Sequence, residues 1–152
     1  MLCNDCRIKI PYDKNRGLTH CGVCGKPFTP DVQDILERGQ YGIAKEIRPP
    51  QVAMAQDIEH LLQIPQSSLF AEGGTGIGKS FAYLIPALLS EKKRIVIATA
   101  KIPLQHQLAE KDIPFLLSRM QIPKTSYVLY KGKSNYACWR LKSLVQKKDQ
   151  KR

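Results

Sequence analysis

The stretch that most constrains this chain is Glu72-Gly73-Gly74-Thr75-Gly76-Ile77-Gly78-Lys79-Ser80, which fits the G-x-x-x-x-G-K-[ST] pattern of a phosphate-binding P-loop. Its glycines let the backbone turn tightly with N–H groups pointing inward, so main-chain donors can cradle a phosphate that any side chain would obstruct. Lys79 brings a flexible point charge to the β- and γ-phosphate oxygens. The Ser80 hydroxyl has the size and hardness to complete a Mg²⁺ shell. Both residues belong at a helix start, where spare N–H groups and the dipole favour an anion.

The flanks are in the required order. Residues 68–71 read as a short buried strand and residues 81–89 as a largely buried helix. A glycine-rich turn that only caps a helix is the plainer alternative, and the complete pattern between a strand and a helix argues against it. Residues 94–100 are apolar and rich in β-branched side chains, as in a buried parallel strand. Pro103 to Leu108 begins a helix, Lys111-Asp112-Ile113-Pro114 breaks its pattern, and residues 127–130 make a third strand. Strands alternating with helices predict an α/β fold with a parallel sheet and right-handed crossovers.

Ahead of this region stand Cys3, Cys6, Cys21 and Cys24, two C-x₂-C pairs with fourteen residues between them. That spacing predicts a four-thiolate zinc ribbon, because two intervening residues let both sulfurs of a pair meet one tetrahedral ion. A segment of this size cannot build a core unaided, so metal binding would supply its folding energy. His20 is a bystander once four cysteines fill the tetrahedron. A redox dithiol and an iron ion are the alternatives that the ligand set leaves open.

Thr29-Pro30-Asp31 opens a short helix that runs to Arg38 and stops at Gly39. Arg48-Pro49-Pro50-Gln51 opens a second one, with Met54, Ala55, Ile58, Leu61 and Leu62 on one face. Gln51 is the polar residue to watch there, since a carboxamide both donates to and accepts from an adenine edge. Residues 134–146 read as a last helix carrying Tyr136, Cys138, Trp139 and Arg140, aromatics that either stack on bases or pack.

Lys and Arg outnumber Asp and Glu by 24 to 13, and Asp149 is the only acid in residues 121–152. Such a segment suits a polyanion, or is simply a solvated tail. The opening residues turn polar at once and the longest apolar run, Phe81 to Leu89, is too short to cross a bilayer. A cytoplasmic protein is the expectation, where five cysteines serve as ligands or thiols and not as disulfides.

In order along the chain, Arg48-Pro49-Pro50-Gln51, Glu72 to Ser80 with Tyr83-Leu84-Ile85-Pro86, Ile97-Ala98-Thr99-Ala100 with Leu104-Gln105-His106-Gln107-Leu108, and Lys131-Gly132-Lys133-Ser134-Asn135-Tyr136-Ala137-Cys138 form a specific series. The series resembles the DinG/XPD-like iron–sulfur DNA helicases of superfamily 2, the bacterial DinG-like branch above all, over about residues 47–141. The resemblance implies a partial RecA-like P-loop parallel sheet with flanking helices, here preceded by the zinc ribbon. With the ribbon at 1–28 and a helical connector at 29–47 standing outside the resemblance, the chain divides further into a partial ATP-binding lobe at 48–133 and the start of an iron–sulfur insertion with a basic tail at 134–152.

By the same resemblance Gln51 looks like the adenine-reading glutamine, and Gly73, Gly74, Thr75, Gly76, Ile77, Gly78, Lys79 and Ser80 look like the cradle of ATP and Mg²⁺, Lys79 and Ser80 being the catalytic contacts. Thr99, Gln105, Lys131 and Lys133 fall where such helicases meet single-stranded DNA, and Cys138 looks like the first of four thiolates around a 4Fe–4S cluster. The implied reaction is ATP hydrolysis coupled to 5′-to-3′ unwinding. Ile77 and Lys101 stand where the family commonly has threonine, positions the phosphate cradle does not need. No carboxylate reads as the Mg²⁺-orienting acid at the end of a second core strand, Asp57 and Asp112 included. The chain therefore reads as the amino-terminal part of such a helicase. The alternatives are a nucleotide and nucleic-acid binding module that does not hydrolyse ATP, and a half-enzyme completed by another polypeptide that carries the remaining motor motifs.

Overall fold

The computed structural model describes residues 6, 20–26, 30–90, 92, 94–122 and 125–138. Five α-helices organise them: α1 Val32–Leu36, α2 Pro49–Leu61, α3 Lys79–Leu89, α4 Ile102–Gln107 and α5 Ile113–Met120.

Each helix begins where local chemistry allows it. Asp31 caps α1 by accepting from the Asp34 N–H at 2.8 Å, while the Asp34 carboxylate accepts from the Asp31 N–H at 3.2 Å. This reciprocal pair satisfies two donors that a helix start leaves over. Asp34 is fully buried and its charge is met by Arg38 one turn on. The helix ends at Leu36, two residues before the expected end at Arg38, and Gly39 then turns the chain in the left-handed region at φ 72°. Pro49 and Pro103 open α2 and α4, at positions whose N–H would have no intrahelical acceptor, and Pro114 stands in the first turn of α5.

Between α4 and α5 the chain continues through a wider, π-type turn at Leu108–Asp112, in which the Ile113 N–H reaches back to the Leu108 carbonyl. The predicted break at Lys111 to Pro114 is thus a change of pitch and not an end. Pro114 supplies the cause, having no N–H to offer the preceding turn.

The core is helix on helix. Val32, Ile35 and Leu36 of α1, Val52 and Ala55 of α2, Ala82, Leu84 and Ile85 of α3, Leu108, and Leu116 and Met120 of α5 form one buried cluster with Ile43. The closest pairing is α2 on α3, and α1 is tied to α2 where the Val32 N–H donates to Glu59 Oε1 at 3.3 Å. The buried stripe of α2 is Gln51, Val52 and Ala55; Ile58, Leu61 and Leu62 of the expected face are only partly covered.

The expected parallel sheet of a partial RecA-like fold is corrected by the structure: among the described residues no strand forms. Residues 68–71, 94–99 and 127–130 carry no regular structure, and Phe70, Val96 and Val128 are 98%, 84% and 88% exposed. A β-branched, apolar run fits a pleated half-buried surface, but it becomes a strand only when a neighbour takes up its N–H and C=O groups. Among the described residues none of the three segments has such a neighbour, and the core is built mainly by the helices. The expected helix at 134–146 is also absent over its described part, which holds a three-residue 3₁₀ turn, Lys133–Asn135, and then irregular chain to Cys138. Trp139, Arg140 and the rest of that segment lie outside the described residues. No helix among the described residues is long and apolar enough to cross a membrane.

Candidate functional site

The glycine-rich loop leads into the first turn of α3, with Lys79 as its first residue and Ser80 as its second. Gly76 and Gly78 both lie in the left-handed region, at φ 83° and 85°, which a side chain would make costly. At Gly78 there is a second reason for glycine: a Cβ would stand 2.8 Å from Gln51 Cδ and closer still to its nitrogen. That proximity is used. Gln51 Nε2 donates to the Gly78 carbonyl at 2.9 Å, and Arg48, paired with Glu46, donates to the Gly76 carbonyl at 2.8 Å. The Lys79 ammonium closes the loop from the other side, on the carbonyls of Gly73 at 2.8 Å and Gly74 at 2.7 Å. The Ile77 side chain lies against Gly73, and Thr75 is exposed at the tip.

Gly78→Ala is therefore expected to destabilise the chain by about 2 kcal/mol or more, since it adds left-handed strain and displaces the Gln51 carboxamide. Urea unfolding measures this directly; a midpoint unchanged from wild type would remove the argument that glycine is required there.

Beside the loop lies a cleft of about 660 Å³ that Gln51, Gly78, Ser80, Phe81, Asp112 and Phe115 help to line. Phe81 and Phe115 stack at 6.0 Å between centroids and 17° between planes, and Arg119 lies over Phe115 at 5.6 Å. The cleft thus has an aromatic wall, a carboxamide and a helix start. Tyr83, one turn after Ser80, has its hydroxyl pushed above its ordinary pKa by burial, with the bond to Ser80 acting the other way and the Asp112 charge adding to the rise.

Three residues of this site were not anticipated. Arg48 reads in the sequence as a helix opener, whereas it holds a loop carbonyl. Asp112, set aside as part of a polar break, reaches the cleft together with Phe115. The signal was their spacing, since residues three apart share a helix face.

The four residues expected at DNA are only partly brought together. Lys131 is joined to α4, where its ammonium meets His106 Nε2 at 2.7 Å; the ring's Nδ1 in turn faces Glu110 at 2.6 Å. Gln105 adjoins that contact, but its carboxamide oxygen is buried and finds no hydrogen-bond partner among the described residues. Thr99 donates to the Lys101 carbonyl at 3.1 Å, and Lys133 is exposed on the 3₁₀ turn.

At the other end of the chain, the sulfurs of Cys6, Cys21 and Cys24 lie within 4.8 Å of one another. Thiolates around one tetrahedral ion at about 2.3 Å stand about 3.8 Å apart, so this group fits a metal ion. The second pair is shaped for it: the Cys21 N–H donates to the Lys26 carbonyl at 2.7 Å, the Gly25 N–H to the Cys21 carbonyl at 2.8 Å, and Gly25 turns at φ 70°. Cys3 lies outside the described residues. Cys138 is exposed and is not in this group, so the described residues do not assemble a four-thiolate iron–sulfur ligand set around it.

Comparison with known proteins gives first a class, the ATP-dependent DNA helicases. Over 113 residues the chain is 37% identical to an ATP-dependent helicase DinG of Mycobacterium tuberculosis, covering 70% of this chain and 17% of that protein. It is 47% identical over 73 residues to an ATP-dependent DNA helicase DinG of Photobacterium profundum, covering 46% and 10%. An ATP-dependent DNA helicase YoaA of Escherichia coli is 40% identical over 91 residues, covering 60% and 14%. Within that class the chain is a relative of the DinG-like helicases, in an amino-terminal part only, and it spans between 10% and 17% of the length of these three relatives. No protein-family model matches the chain, and no solved structure does.

Proposed function

We propose that this chain is the nucleotide-engaging amino-terminal portion of an ATP-dependent DNA helicase of the DinG type, whose reaction is ATP hydrolysis coupled to 5′-to-3′ unwinding. The observation that carries this reading is the glycine loop held against the first turn of α3, with Lys79 inside the loop and Ser80 on the cleft. The loop amides and the α3 dipole offer the triphosphate a fixed positive end. Lys79 neutralises the β- and γ-phosphate oxygens, and the Ser80 hydroxyl is the ligand this chain offers to Mg²⁺, which supplies charge neutralisation between those phosphates.

Gln51 has one N–H on Gly78 and keeps a second N–H and its oxygen, the pair that an adenine edge requires. The basic balance of the chain and the Thr99, Gln105, Lys131 and Lys133 positions support single-stranded DNA as the polyanion. The cysteine group is read as a zinc ribbon, with thiolates of Cys6, Cys21 and Cys24 and a fourth from Cys3.

The test is ATP titration of the 152-residue chain with Mg²⁺, followed by phosphate release with and without single-stranded DNA. Saturable ATP binding supports the reading, and turnover stimulated by DNA would extend it to a motor active in this portion alone. A chain that binds no nucleotide overturns it.

A further inference from the structure

The last described stretch presents two tyrosines to solvent in a fixed arrangement. Tyr130 is 82% exposed and Tyr136 51%, and their rings lie 6.3 Å apart at 45°. The arrangement has a cause in the chain between them. The Asn135 N–H donates to the Gly132 carbonyl at 2.9 Å and the Tyr136 N–H to the Lys133 carbonyl at 3.2 Å, so the 3₁₀ turn folds Tyr136 back. Its hydroxyl then accepts from the Lys131 N–H at 2.9 Å. The polar end of the ring is thereby anchored and its faces are left open.

Burial among the described residues does not explain this pair. An aromatic ring stabilises a fold by leaving water, and Tyr130 has left very little of it. What two exposed rings on a basic turn can do is stack with planar groups, and every nucleobase offers a π-face whatever its sequence. Lys133, exposed within the turn, supplies a cation for the adjoining phosphate. Lys131, whose charge adds to the basic turn, also anchors it, because its ammonium meets His106 and pins the turn to α4.

We propose that Tyr130 and Tyr136 form a stacking platform for the bases of single-stranded DNA, with Lys133 as its phosphate contact and Lys131 as its anchor. The proposal deepens the DNA reading given above and rests on it.

Two labelled oligomers of equal length distinguish base stacking from charge: oligothymidylate, and an abasic strand with the same backbone and no bases. With the full chain, Tyr130→Ala is expected to weaken oligothymidylate binding by about tenfold or more and leave the abasic strand within about twofold. Tyr130→Phe, which keeps the ring, should bind oligothymidylate like wild type. Lys133→Ala should weaken both strands and reduce the slope of log affinity against log salt by about 0.7.

Wild-type affinity for oligothymidylate in Tyr130→Ala would overturn the platform while leaving the DNA reading standing. Equal losses on the two strands would overturn it as well, since the ring would then act through something other than bases. If wild type binds neither strand, the DNA reading falls and the platform with it.

Discussion

Lys79→Ala is expected to weaken Mg-ATP binding by at least about a hundredfold while the helices stay folded. The ammonium sits between two neutral carbonyls, those of Gly73 and Gly74, at hydrogen-bond distance from both. A triphosphate offers the ammonium acceptor oxygens that carry charge, and charge-assisted hydrogen bonds are each worth about 1.5–3 kcal/mol. Losing two of them gives a factor of about a hundred or more. The loss of the two carbonyl contacts is a smaller effect, because Gly74 is exposed and water can take its place. Lys79→Arg is expected to recover little, since a planar fork does not fit where a compact ammonium bridges two carbonyls. Calorimetric titration reads the affinity and circular dichroism the helix content. ATP affinity equal to wild type in Lys79→Ala would end the P-loop reading.

The second large effect is expected at the cysteine group. Cys21→Ser replaces a soft thiolate by a neutral hydroxyl in the buried member of the three converging sulfurs. Removing even an outer support of a metal ligand costs about 10- to 100-fold in affinity, and removing a ligand should exceed the upper figure. Zinc content after dialysis should fall from near one equivalent to a small fraction, and backbone protection around residues 20–26 should be lost with it. Cys138→Ser is the control, since that sulfur is outside the group, and its zinc content should match wild type. Full zinc occupancy in Cys21→Ser, or loss of zinc in Cys138→Ser, would sink the assignment.

How far the chain could be read in advance depended on whether the information was local. The glycine loop was legible because Gly76 and Gly78 answer to a local geometric demand, a left-handed φ, and Gly78 also admits the approach of Gln51. The left-handed turn at Gly39 was legible for the same reason, whereas the helix before it is capped by Asp31, two residues after the expected Thr29 cap, and ends at Leu36. The sheet was misread because β-branched runs at 94–99 and 127–130 describe what their side chains would suit, and pairing depends on chain elsewhere. On α2 the apolar periodicity pointed to Ile58 and Leu61, whereas the bond to Gly78 turns the Gln51 side inward. The cysteine spacing was informative, and three of its four members converge as it implied, the fourth lying outside the described residues. Arg48 escaped notice because nothing local distinguishes an arginine that holds a distant carbonyl from one that faces water.

The wide turn at Leu108–Asp112 carries a consequence for how this helical stretch can change in length. Leu108 is buried, and an unbroken α-helix would continue its face through Asp112 and Phe115 at 3.6 residues per turn. The core instead takes Leu116 and Met120, one position later, while Asp112 and Phe115 turn to the cleft. The turn therefore holds one residue more than the helix requires. Loss of a single residue from it would restore ordinary pitch and keep the following apolar face in place, where a deletion within any other helix would rotate everything after it by about 100°. Among the described residues, this turn is thus a point of the helical core that can absorb the loss of one residue.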